Sequence, residues 1–82
     1  MIIAVAIRSE TYSRSLPRPY RHHDVIRELA REGYPIPITG EQGFIDDVQG
    51  FVTREQAAGI ALAEGQTVKL HSPPRLFSED LW

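Results

Sequence analysis

Gln42-Gly43-Phe44-Ile45-Asp46-Asp47-Val48-Gln49-Gly50-Phe51-Val52-Thr53-Arg54-Glu55-Gln56 is the stretch that decides the fold. The tripeptide Gln-Gly-Phe occurs at 42–44 and again at 49–51, with the acidic pair Asp46-Asp47 between the copies. Two short β-prone runs around a polar, glycine-containing segment predict a β-hairpin with the acidic pair at its tip. Thr53-Arg54-Glu55-Gln56 then forms a capping box, in which the Thr53 hydroxyl and the Gln56 amide satisfy backbone donors reciprocally. It predicts a helix over 54–64, stopped by Gly65, with Ala57, Ile60, Ala61 and either Leu62 or Ala63 on its buried side. Two copies of a tripeptide are too little for a repeat architecture.

Outward from this segment, the β-branched run Met1-Ile2-Ile3-Ala4-Val5-Ala6-Ile7 predicts a buried strand. Its continuity, rather than a clean alternation, places it centrally and covered on both faces. Ser9–Pro19 has no period and two prolines, so it is a loop or an extended edge. A first helix is predicted from about His23 to Glu32, with Val25, Ile26, Leu29 and Ala30 as its apolar stripe and Gly33 as its stop. Tyr34–Ile38 reads as extended chain on a sheet edge or outside the sheet, because its two prolines lack N–H donors. Thr67-Val68-Lys69-Leu70 reads as a last short strand, broken by Pro73-Pro74. These elements predict one α+β domain spanning 1–82, with a small, mainly antiparallel sheet and two helices packed on it. The tail, 73–82, carries Leu76, Phe77, Leu81 and Trp82, a hydrophobic load that predicts docking, either on its own domain or on a neighbouring subunit.

Eighty-two residues make a small domain with a modest core, for which association into a homo-oligomer is expected. The chain has no cysteine, which excludes disulfides, thiol nucleophiles and thiolate zinc sites and fits a cytoplasmic setting. The apolar start is too short for a signal-peptide core or a membrane span, so no membrane association is expected. Residues 8–31 hold six arginines against three acids, whereas residues 32–82 hold three basic groups against eight acids. The net charge of -2 argues against a general nucleic-acid binder.

The arginine-rich run Arg14-Ser15-Leu16-Pro17-Arg18-Pro19-Tyr20-Arg21-His22-His23-Asp24 leads into the first helix. Helix N-termini carry unpaired N–H groups and partial positive charge, and guanidinium forks pair bidentately with phosphate or carboxylate. Arg18 and Arg21 are expected to hold phosphate, His22 and His23 to donate or cap, and Tyr20 to stack on a base, with Arg14 and Arg27 in support. Simple solvation of the loop, and Tyr20 serving as a hydrophobic staple, are the competing readings. Adjacent histidines do not share a helix face, so no metal site is expected there. No serine lies in a nucleophile elbow, and the glycines match no phosphate-binding loop. The adjacent carboxylates Asp46-Asp47 and Glu79-Asp80 read as solvated turns. The expectation is a binding protein, not an enzyme, without a cofactor.

Arg21-His22-His23-Asp24-Val25-Ile26, Gln42-Gly43-Phe44, Phe51-Val52-Thr53-Arg54-Glu55-Gln56-Ala57-Ala58-Gly59-Ile60-Ala61, Gly65-Gln66 and Leu76-Phe77-Ser78-Glu79-Asp80-Leu81-Trp82, in that order, resemble a group of small bacteriophage and prophage proteins. The Ser-Glu-Asp-Leu-Trp ending is the most specific block. The resemblance implies a phage context, and there an anti-defence role: sequestering a small nucleotide-derived immune signal. Two alternatives stay open. One is a protein–protein inhibitor of a host defence complex, in the manner of anti-CRISPR proteins, using the acids of residues 32–82. The other is a small phage structural or regulatory factor. Phe77, Leu81 and Trp82 would close a core or a subunit interface.

Overall fold

The computed structural model describes all residues, 1–82. The element order is β1 (Ile2–Arg8), β2 (Ser13–Pro17), α1 (His22–Arg31), β3 (Glu41–Asp46), β4 (Gly50–Thr53), α2 (Arg54–Ala63) and a single 3-10 turn (Ser78–Asp80). The strands form one antiparallel sheet in the order β2-β1-β3-β4, giving the α+β class. The edge strand of Ser9–Pro19 is β2. Helix α1 carries the chain across β1 to begin β3.

The hairpin forms as expected, with Ile45 opposite Phe51 and Asp46 opposite Gly50. Asp46 does more than sit at a tip. Its Oδ2 accepts the backbone N–H groups of Val48 and Gln49 at 3.1 and 2.9 Å, so the side chain shapes the turn. Gly50 takes φ +79°, a conformation costly for a residue with a Cβ. The capping box is also in place: Gln56 N–H donates to Thr53 Oγ1 at 3.1 Å, and Thr53 N–H donates to Gln56 Oε1 at 2.9 Å.

Val5, Ile7, Phe44 and Val52 share one face of the sheet and pack with Val25 and Leu29 of α1 and Ala57, Ala58 and Ala61 of α2. The alanines let α2 lie close on the sheet. Both helices therefore cover the same face. β1 is central as expected, and its apolar run is buried on both faces although no helix covers the second one. A bulge between Ile2 and Ala4 turns Ile3 outward, where it is 45% exposed. Ala4 and Ala6 point away from the helices and are nonetheless buried. On that second face the Phe51 ring reaches over Gly43, and the Arg8 guanidinium stacks 4.0 Å from the ring centroid.

Thr67–Leu70 is not a strand, a second correction. Thr67 Oγ1 donates to Lys69 O at 3.1 Å within a turn, and Val68 is 94% exposed. The segment just before it is tied down at the start of β1. Gln66 bonds both backbone groups of Ile2, its Oε1 accepting from Ile2 N at 2.7 Å and its Nε2 donating to Ile2 O at 2.9 Å. Tyr34–Ile38 lies outside the sheet.

Candidate functional site

The tail docks on its own domain. Leu76 is fully buried in the core. Its N–H donates to Arg54 O at 3.0 Å, and Arg54 Nη1 donates to Leu76 O at 2.9 Å. The same guanidinium lies 4.4 Å from the Phe77 ring centroid. Leu81 and Trp82 pack against the edge of the core. The Trp82 indole N–H donates to Tyr20 O at 3.0 Å.

This docking changes the arginine-rich run. Arg21, the residue preceding α1, donates to the backbone oxygen of Trp82 and lies 3.5 Å from Glu79. Arg18 sits 5.6 Å from the Trp82 ring centroid. The N-terminus of α1 is already served by Asp24, whose Oδ2 accepts Arg21 N–H at 2.9 Å. The structure thus brings Arg18, Tyr20 and Arg21 together, with the tail laid across them where an external anion was expected.

Two other expected ligands have structural places. Arg14 projects from β2 toward α1 and is held between Glu28 and Glu32, reaching Glu32 Oε1 at 2.8 Å. That pairing holds the Glu32 carboxyl below its usual range. His22 is buried, a correction to its expected place among the ligand-binding residues: its side chain turns inward as the first residue of α1. Its Nε2 lies 2.7 Å from Gly43 O, as an N–H donor would, and its ring stands perpendicular to that of Phe44 with the centroids 5.1 Å apart. Burial pushes its pKa down to about 4, against a smaller opposing effect of the bond to Gly43, so the ring is neutral at pH 7. His23 is exposed, 3.5 Å from Asp24.

What remains open is a groove of about 310 Å3 lined by Leu16, Tyr20, Asp24, Arg27, Glu28 and Arg31. Tyr20 is 48% exposed. Arg27 has only Asp24, at 3.7 Å, and Arg31 has no carboxylate within ion-pair distance. Arg27 and Arg31 are four residues apart and share a face of α1, the spacing that puts both guanidinium groups beside Tyr20. Tyr20 and Arg27 were among the residues expected in the site, and Arg31 was not. The i, i+4 spacing was the signal that could have added it.

A second arrangement went unread in the sequence. The Asp80 side chain is fully buried and accepts His71 N–H at 3.0 Å, Phe77 N–H at 2.9 Å and the His71 ring Nδ1. Burial acts to raise the Asp80 pKa, but these hydrogen bonds outweigh it and hold the carboxyl below its usual range. The pair ties the 66–76 segment to the 3-10 turn. Asp80 is therefore a structural acceptor and not a solvated turn residue. Asp46 likewise sits below the usual carboxylate range, held there by the Met1 ammonium at 2.6 Å and by the turn N–H groups. No helix is long and apolar enough to cross a membrane.

Along its whole length, residues 1–82, the chain matches the family described as phage T4 y16D protein. No curated protein and no solved structure matches it.

Proposed function

We propose that this chain, which belongs to the phage T4 y16D protein family, binds a nucleotide-derived anion without catalysis and so sequesters a nucleotide signal of host defence. The observation that carries the reading is the groove beside α1. Two guanidinium groups, Arg27 and Arg31, lie there with little or no carboxylate pairing, next to a half-exposed aromatic ring. Guanidinium groups suit phosphate, and a tyrosine face suits a base. A volume of about 310 Å3 is at the lower end of ligand sites, which fits one nucleotide unit and not a cyclic oligonucleotide.

The inhibitor alternative relied on acids that are engaged inside the chain. Asp46 and Asp47 hold the Met1 ammonium, Glu79 lies against Arg21, and Asp80 is buried under His71. This leaves the groove as the better-supported surface. Thermal-shift measurements against mononucleotides test the reading, with calorimetry and recovery of the ligand afterwards. A rise in Tm with the ligand recovered intact, lost in Arg31→Ala and Arg27→Ala, is the expected result. An equal rise in both variants, or none in the native protein, would overturn it. An altered ligand would make the protein an enzyme.

A further inference from the structure

The groove is not a purely cationic one. Asp24 and Glu28 line it together with Arg27 and Arg31, each pair one helical turn apart. Neither carboxylate is fully used. Glu28 Oε1 accepts from Arg14, while Glu28 Oε2 takes no hydrogen bond within the chain. Asp24 Oδ2 accepts Arg21 N–H, while Asp24 Oδ1 has only the longer approaches of His23 at 3.5 Å and Arg27 at 3.7 Å. Arg14 holds Glu28 in place from the β2 side, so this acceptor is fixed before any ligand arrives.

A ligand that is only anionic, such as inorganic phosphate, meets repulsion from these two carboxylates. A ligand that brings N–H donors to the carboxylates and a phosphate to the arginines satisfies both. Nucleobases differ in this respect. On the Watson–Crick edge only guanine presents two adjacent donors, N1–H and the N2 amino group. Adenine and cytosine place one donor beside an acceptor, and uracil flanks its single N–H with two acceptors. An acceptor facing a carboxylate is left unpaired, and an unpaired buried polar group is what gives a site its discrimination.

We propose that the groove selects a guanine mononucleotide, with Glu28 accepting from the base edge, Tyr20 against the base face, and Arg27 and Arg31 on the phosphate. This deepens the binding reading above and rests on it. Calorimetry with GMP, IMP and AMP on the native protein tests it, because IMP keeps N1–H and lacks the N2 amino group. The expected order is GMP tightest and AMP weakest by about tenfold or more, with IMP between. Glu28→Gln keeps a side-chain oxygen for Arg14 and brings an amide donor in place of a charge, so in that variant the GMP advantage over AMP should collapse. AMP binding as tightly as GMP to the native protein would overturn the guanine assignment and leave the binding reading standing. Failure of all three to bind would overturn both.

Discussion

The indole N–H of Trp82 donates to the backbone oxygen of Tyr20 at 3.0 Å, and Arg21 donates back to the backbone oxygen of Trp82. Residues separated by 61 and 62 positions in the sequence thus form a two-way clasp over the start of α1. The clasp fixes the Tyr20 backbone, and the Tyr20 side chain lines the groove proposed to bind a ligand. Tail docking and site geometry are in this way one piece of structure.

Replacing the indole N–H tests the clasp directly. Trp82→Phe keeps an aromatic ring and removes the donor, so stability should fall by about 1 kcal/mol, the net worth of one hydrogen bond. Urea denaturation of the two proteins, followed by circular dichroism, measures it. Because Trp82 is the only tryptophan, its fluorescence in the native protein also reports the tail. A fluorescence transition well before the circular dichroism transition would show that the tail unfolds separately.

Leu76 anchors the tail and is fully buried. Leu76→Ala should cost about 2–5 kcal/mol, the usual range for a buried leucine truncated to alanine. In a domain of this size such a loss approaches the total stability. A Tm within a few degrees of the native value would mean that the tail is dispensable to the core.

Gly43 is intolerant of any side chain. A Cβ there would lie 2.3 Å from the Val52 carbonyl oxygen and 2.6 Å from the Phe51 ring. The ring can swing away, but the strand carbonyl can move only by breaking register between β3 and β4. Gly43→Ala should therefore destabilise by about 1–3 kcal/mol or more. Gly59→Ala is the control, because a Cβ at Gly59 meets nothing within 4 Å and removes a poor helix former from α2. It should leave stability unchanged or raise it.

His22 gives the protein an acid sensitivity above the carboxylate range. Its pKa falls from 6.5 to about 4 on folding, so the unfolded chain binds the proton more readily. The stabilisation is complete above pH 6.5 and is lost as pH falls toward 4, by roughly 3 kcal/mol in all. Asp80 and Asp46, both held below their usual pKa, contribute stability that is present above the unfolded carboxylate value and lost only at lower pH. Denaturation midpoints taken from pH 7 to pH 4 should fall in the native protein and stay nearly flat in His22→Gln. A parallel fall in both would assign the acid sensitivity to another group.

Some of this fold was legible residue by residue. The capping box at Thr53 and Gln56, the turn around Asp46-Asp47 and the apolar spacing of Val25 and Leu29 act over four to seven residues, within one element. The candidate site was legible only as a composition of arginine, tyrosine and histidine. What each of those side chains meets depends on partners far away in sequence. Arg14 meets Glu32, Arg21 meets Glu79 and Trp82, and His22 meets Gly43. The failed strand at Thr67–Leu70 has the same origin, since Gln66, bonded to both backbone groups of Ile2, fixes the path of the chain there and overrides its β propensity.

The sequence by itself determined both helices, the first strand, the hairpin and the second helix cap, because local hydrogen bonding and hydrophobic period are written in neighbouring residues. Only the tertiary structure decided that both helices share one sheet face, that the tail folds back in the same chain, and which arginines stay unpaired. Charge pairing is a matter of distance in space, and the sheet order β2-β1-β3-β4 with the docked tail sets those distances. Six arginines in residues 8–31 look equivalent along the chain. The fold draws Arg8, Arg14 and Arg21 close against acids, leaves Arg27 a long contact, and leaves Arg18 and Arg31 with none.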